Sequence, residues 1–160
     1  MFDTVFGLPL HTLVVHAVVV LVPLAALGTV AIAAVPSWRA RFGVPVLLLT
    51  VAAVASVPVA VQSGYAFLAR LARINAVTPA VLAHQQLGRQ AVWFTLPLLV
   101  FVVLLVVLDR RRRAGSGTWL VTAVALFAVV AAGVATYEVV RVGHAGSTAV
   151  WRDLVRNTGP

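Results

Sequence analysis

Four stretches of this chain run without a single Asp, Glu, Lys or Arg: Thr4 to Trp38, Phe42 to Ala69, Gln90 to Leu108, and Ala114 to Tyr137. A hydrocarbon core about 30 Å thick takes roughly 20 helical residues to cross, and each stretch supplies enough. None alternates like a barrel strand. A segment in lipid must also satisfy its own backbone polar groups, so helices follow. Composition agrees. Of 160 residues, 62% are apolar and 10% charged, against about 25% charged in soluble domains. So short a chain has no interior large enough for that much apolar side chain, and lipid must bury the rest. The sequence predicts an all-α integral membrane protein, one domain over residues 1–160, folded as an up-down-up-down four-helix bundle.

The breaks refine the helices to about 8–36, 44–74, 79–112 and 118–142. Pro36, Ser37 and Trp38 are expected to end the first, and Pro45 to sit in the first turn of the second. Thr78 and Pro79 read as N-cap and first residue of the third. Helices 2 and 3 then project beyond the membrane as a hairpin, turning near Asn75 to Val77. Pro23, Pro58 and Pro97 fall inside helices and are expected to kink them, within the ordinary tolerance of membrane helices for proline. The first stretch is not read as a signal peptide, because Asp3 stands in place of a basic n-region and the apolar run is too long.

All twelve basic residues are arginine, and the acidic ones are Asp3, Asp109, Glu138 and Asp153, giving a net charge of +8. The arginines lie beside apolar runs, where they meet lipid headgroups. No basic patch is interleaved with stacking aromatics, so nucleic acid is not an expected partner and the lipid bilayer is. The absence of cysteine excludes disulfides, thiolate zinc sites and cysteine-ligated iron–sulfur clusters.

With the N-terminal side named A and the opposite side B, each receives six arginines. Arg39, Arg41 and Arg110 to Arg113 lie on B; Arg70, Arg73, Arg89, Arg141, Arg152 and Arg156 lie on A. Those on B sit in two short connections close to the membrane, where the positive-inside rule acts most strongly, so B is expected in the cytoplasm and both termini outside it. Trp38 and Trp119 would mark the B interface, Trp93 and Tyr137 the A interface.

Alternating helix direction brings all four histidines to side A. His11 and His16 open helix 1, His84 is early in helix 3, and His144 falls just past the expected end of helix 4. His16 lies near the edge of the apolar core; the other three are about 7 to 10 Å further out. Gln62, Tyr65, Gln85, Gln86, Tyr137, Glu138 and Arg141 share this zone, while the B halves are almost purely apolar. Polar groups near membrane depth usually face a bundle interior or a cavity, so the one-sided cluster marks a candidate site. Blander readings stand beside it: solvated interfacial histidines, and an ordinary i,i+3 surface pair of Glu138 with Arg141. His11 and His16 are about 140° apart around their helix and are not expected to bind one ion together. A weak internal echo pairs His11 and Pro23 with His84 and Pro97, and Tyr65 and Arg70 with Tyr137 and Arg141, although the intervals do not match. It would make the chain a parallel repeat of two hairpins.

Three segments carry a resemblance: Gly7-Leu-Pro-Leu-His11-Thr-Leu-Val-Val-His16, His84-Gln-Gln-Leu-Gly88, and Arg141-Val-Gly-His144-Ala-Gly-Ser-Thr-Ala-Val-Trp151. In these the chain resembles a bacterial membrane family known as domain of unknown function 2231. The resemblance implies a four-helix domain in a bacterial plasma membrane, with recurring histidines. It also implies redox company, since the domain is associated with fusions to Rieske-type or cytochrome modules. Tyr65, after Ser63 and Gly64, stands where relatives often carry an acidic residue, so no carboxylate role is carried over there.

Three functions remain open on the residues. The first is a b-type haem electron-transfer domain. Its axial ligands would be His84 with His11 or His16, since imidazoles on different helices can ligate iron from opposite faces, and Arg89 and Arg141 would meet the propionates. The second is a non-haem transition-metal site built from His11, His84 and His144, with Glu138 or His16. The third is an accessory subunit without a cofactor, whose polar end docks a partner. No charged residue lies near mid-membrane, as a transporter's substrate site would require, and no nucleophile–base pair suggests an enzyme acting by itself.

Overall fold

Four long helices, each apolar enough to cross a membrane, make up nearly all of the protein. The structure, a computed structural model, describes residues 4–111 and 118–159; Asp3, Arg112 and Arg113 lie outside the described residues. The helices are α1 (Leu10–Ala34), α2 (Pro36–Arg73), α3 (Pro79–Arg111) and α4 (Thr118–Asn157). Before them, β1 (Thr4–Val5) pairs antiparallel with β2 (Leu8–Pro9). Phe6 and Gly7 between them have φ of 50° and 79°, the pair of positive values a type I′ hairpin turn demands.

Two boundaries differ from the sequence expectation. α2 begins at Pro36 rather than near residue 44, because Val35 is both C-cap of α1 and N-cap of α2. Its N–H donates to the Ala31 carbonyl and its own carbonyl accepts from Trp38, both at 3.0 Å. The corner is one residue long. Proline at the first helical position loses no hydrogen bond, so Pro36 opens a helix instead of closing one, and Pro45 falls inside α2. α4 in turn runs to Asn157 instead of stopping near 142. The polar residues after Tyr137 end the apolar crossing, but no proline follows until Pro160, and the helix continues. His144 is therefore a helical residue. The turn after α2 and the cap of α3 agree with expectation. Asn75 has φ of 52°, and the Thr78 hydroxyl accepts from the Val81 N–H at 3.3 Å.

Around the bundle α1 packs on α2 and α4, and α3 packs on the same two, so α1 and α3 face each other across the diagonal. The interior is built of small residues. Ala25, Ala53, Ala128 and Ala135 are fully buried, while Leu27, Leu48, Leu126 and Val130 lie on the outside. That inversion belongs to lipid. Apolar tails solvate leucine as well as another helix does, so association relies on close backbone approach over small side chains. Thr29, Thr50 and Thr95 are also fully buried, and each hydroxyl donates to the carbonyl four residues back.

At the B end Arg39 turns inward. It is only 6% exposed; its Nε and Nη2 donate to the carbonyls of Ile32 and Ala33 at 3.0 Å, and Nη1 pairs with Asp109 at 3.1 Å. One guanidinium thus closes the carbonyl end of α1 and ties α2 to α3. Exposed Trp119 and Tyr137 on α4 stand about 27 Å apart along the helix axis, close to the thickness of the hydrocarbon core. α2 and α4 carry on well past this slab on side A.

The internal echo becomes regular once burial rather than proline sets the register. Val22, Ala25, Thr29 and Ile32 of α1 match Thr95, Leu98, Val102 and Leu105 of α3 at a constant spacing of 73, and all eight are at most 1% exposed. Thr50, Ala53 and Val57 of α2 match Ala132, Ala135 and Val139 of α4 at a spacing of 82, all buried. Of the nine-residue difference, four residues extend the end of α3 and five lie in the longer connection between α3 and α4. The protein is two hairpins of one design.

Candidate functional site

The same register pairs His11 with His84, and the structure brings these two together. They come from the diagonal helices α1 and α3 and meet between them, ring centroids 6.1 Å apart and planes at 64°. Both are half-buried. Each is fixed in the same way by the next helix in the chain. His11 Nδ1 lies 3.0 Å from the Ala60 carbonyl on α2, and His84 Nδ1 lies 3.1 Å from the Val142 carbonyl on α4. Carbonyls only accept, so Nδ1 carries the proton in both rings. In the neutral imidazole Nε2 is then the lone-pair nitrogen.

One turn beyond each carbonyl is a glycine. A Cβ on Gly64 would sit 3.1 Å from His11 Cε1, and one on Gly146 would sit 3.0 Å from His84 Cε1. Each ring therefore lies against bare helix backbone, and these glycines are packing surfaces rather than helix breaks. The two halves differ in their surroundings. Phe67 stacks on His11 at 6.1 Å, and Ser63 Oγ, itself donating to Ala60, comes within 3.4 Å of His11 Nδ1.

The other sequence candidates go elsewhere. His16 is exposed, and its Nδ1 donates to the Thr12 carbonyl of its own helix. His144 is two residues from both Val142 and Gly146, about 200° around α4 from the face that meets His84. It is exposed and lines a groove with Pro79, Ala80, Ala83, Thr148 and Arg152. Arg89 is exposed on α3. Among the described residues no group of three or more His, Asp or Glu is placed to hold a metal ion.

Glu138 is not a surface residue. It is 2% exposed; Oε2 lies 3.4 Å from Arg141 Nη1, while the buried Oε1 has no hydrogen-bond partner among the described residues. It sits one turn below Val142, whose carbonyl anchors His84, so the Glu138 carboxylate lies inside the bundle near the base of the site while Arg141 reaches it from a partly exposed position. Sequence reasoning missed Ala60, Gly64, Val142 and Gly146. The available signal was the 82-residue spacing shared by Gly64 with Gly146 and by Arg70 with Arg152.

An imidazole fixed through Nδ1 to a carbonyl is the usual form of a metal-ligating histidine, its tautomer and orientation set by the outer partner. A metal–nitrogen bond of about 2 Å plus a ring radius of roughly 1.1 Å puts two centroids about 6 Å apart when they bind one ion from opposite sides. The ring centroids of His11 and His84 stand at about that separation.

No curated protein and no solved structure matches the chain. A family model does match, over residues 7–159. The same stretch contains all four helices, both anchored histidines and their glycine seats. On that match the chain belongs to the family described as predicted membrane protein, domain of unknown function 2231.

Proposed function

We propose that this bundle is a membrane-anchored electron-transfer domain, with a b-type haem ligated by His11 and His84 at the extracytoplasmic end. The observation carrying the reading is the symmetric pair: two half-buried imidazoles, each with Nδ1–H spent on a backbone carbonyl, 6.1 Å apart on diagonal helices. The protein's part is to hold both rings in one tautomer and orientation. Bound haem supplies the one-electron chemistry. Arg89 is the arginine available to a propionate, since Arg141 is engaged with Glu138. Supporting an outward-facing site, Arg41, Arg110 and Arg111 flank the apolar crossing at side B. The arginines of side A lie mostly on helix extensions, away from the bilayer.

The test is an oxidised and dithionite-reduced absorption spectrum of detergent-purified protein from cells able to make haem. A Soret band that shifts on reduction, lost in His11→Ala and His84→Ala and kept in His16→Ala and His144→Ala, is the expected result. A flat visible spectrum from folded protein refutes haem binding. A second reading, a non-haem transition ion on the same two imidazoles, is favoured by the direct edge-to-face approach of the rings. It predicts stoichiometric metal without a Soret band.

A further inference from the structure

Beyond the membrane, α4 carries a surface that the histidine pair does not use. His144, Thr148, Trp151 and Val155 recur at steps of three and four, so they share one face, with Arg152 and Arg156 one row over. Against this face lies the start of α3. Between them is a groove of about 420 Å³ with Ala80, Ala83 and Ala145 in its lining and His144, Thr148 and Arg152 among its polar groups. Trp151 is 56% and Val155 65% exposed, and Arg152 and Arg156 are exposed as well.

With the apolar slab taken to end at Tyr137, this surface stands outside lipid. Measured from Tyr137 along α4, His144 stands about 10 Å and Trp151 about 21 Å outside the apolar slab, whereas the headgroup layer adds only about 5 to 8 Å per side. An exposed tryptophan and valine beside two arginines, held in water on a rigid helix, have the composition of a protein interface centre. The charge is one-sided. Asp153 is the sole acidic residue from Val139 to the C-terminus, where Arg141, Arg152 and Arg156 lie. Glu138 is buried against Arg141.

We propose that the groove between the start of α3 and the end of α4 docks an acidic segment of a water-soluble partner protein, its carboxylates meeting Arg152 and Arg156 and an apolar side chain resting on the alanine floor beside Trp151. Docking here does not depend on what His11 and His84 hold.

The test uses the full chain in phosphatidylcholine nanodiscs and two amphipathic helical probe peptides, one with a glutamate face and one with a lysine face, each opposite a leucine face. The glutamate peptide should bind, weaken with added salt, and lose about tenfold or more in affinity when Arg152→Glu and Arg156→Glu are combined. The lysine peptide should gain affinity for that variant. Trp151→Ala should weaken the glutamate peptide without changing its salt dependence. Unchanged circular dichroism shows that the variants remain folded. The proposal is overturned if the glutamate peptide binds no better than the lysine peptide, or if the charge swap does not reverse the preference. It is also overturned if phosphatidylglycerol vesicles displace the peptide, which would make the surface a lipid contact.

Discussion

Alanine at Gly146 sets two effects of opposite sign against each other. In an open helix position the change from glycine stabilises by up to about 1 kcal/mol through backbone entropy. At Gly146 the new Cβ would stand 3.0 Å from His84 Cε1 and 3.2 Å from Nδ1. Ordinary carbon contacts are about 3.5 to 4.0 Å, so the ring must withdraw by a few tenths of an ångström. The His84 hydrogen bond to Val142 is already 3.1 Å long, and that movement takes it to about 3.5 Å, the limit of a hydrogen bond. Losing it costs about 1 kcal/mol, and forcing side chain into a packed site costs about 1 to 3 kcal/mol more. The net expectation for Gly146→Ala is a loss of roughly 1 to 3 kcal/mol.

Gly133 provides the control. It lies on the same helix with open space where a Cβ would stand, so Gly133→Ala should leave stability unchanged or raise it by up to about 1 kcal/mol. Unfolding in mixed dodecylmaltoside and dodecyl sulfate micelles measures both, and ring nitrogen NMR reports whether His84 keeps its proton on Nδ1. Should Gly146→Ala match Gly133→Ala in stability and retain the Nδ1 proton, the assignment of Gly146 as a seat for the ring is wrong. Gly64→Ala, with 3.1 Å to His11 Cε1, should behave like Gly146→Ala.

Two further outcomes concern the buried charges. Arg39→Met should cost about 3 to 5 kcal/mol, because it strands Asp109 and two helix-end carbonyls, and the double change with Asp109→Asn should recover part of that loss; strict additivity in a double-mutant cycle would refute coupling. Glu138→Gln should be within about 1 kcal/mol of the parent or above it, since it removes a buried charge whose Oε1 has no partner, while Arg141→Ala should destabilise by leaving that charge alone. If Glu138→Gln proves the more damaging of the two in the same micelle assay, Oε1 serves an interaction not seen among the described residues.

The spans and the Thr78 cap were legible because local rules decide them: charge-free length and a hydroxyl before proline. Which of His11 and His16 meets His84 was not. Four on one side says nothing of azimuth across helices, and His144 was read as lying past its helix when it is on the far face of α4. Arg39 looked like any headgroup arginine. Its inward turn follows from the one-residue corner at Val35, which sets its guanidinium beneath the last carbonyls of α1. Pro36 hid that corner by resembling a helix stop. The buried placement of Glu138 was equally invisible, since an i,i+3 pair with arginine has the same spacing on a surface as in a core.

The repeat explains why its own signature was hard to see. Prolines and tyrosines lie largely on lipid-facing positions, where nothing holds them in register; the His11–Pro23 and His84–Pro97 intervals differ by one residue. Interior positions are held by packing, and there the spacings of 73 and 82 do not drift. The histidine, the carbonyl on the following helix and the glycine one turn further are kept in both hairpins, although Ser63 and Phe67 accompany only the first. A lone half-buried imidazole could be explained by a satisfied hydrogen bond. Two, related by the symmetry of the fold and meeting where its halves join, present a pair of equivalent lone-pair nitrogens that packing alone does not require. On the function proposed above, that equivalence makes His11→Ala and His84→Ala comparable in their effect on haem content.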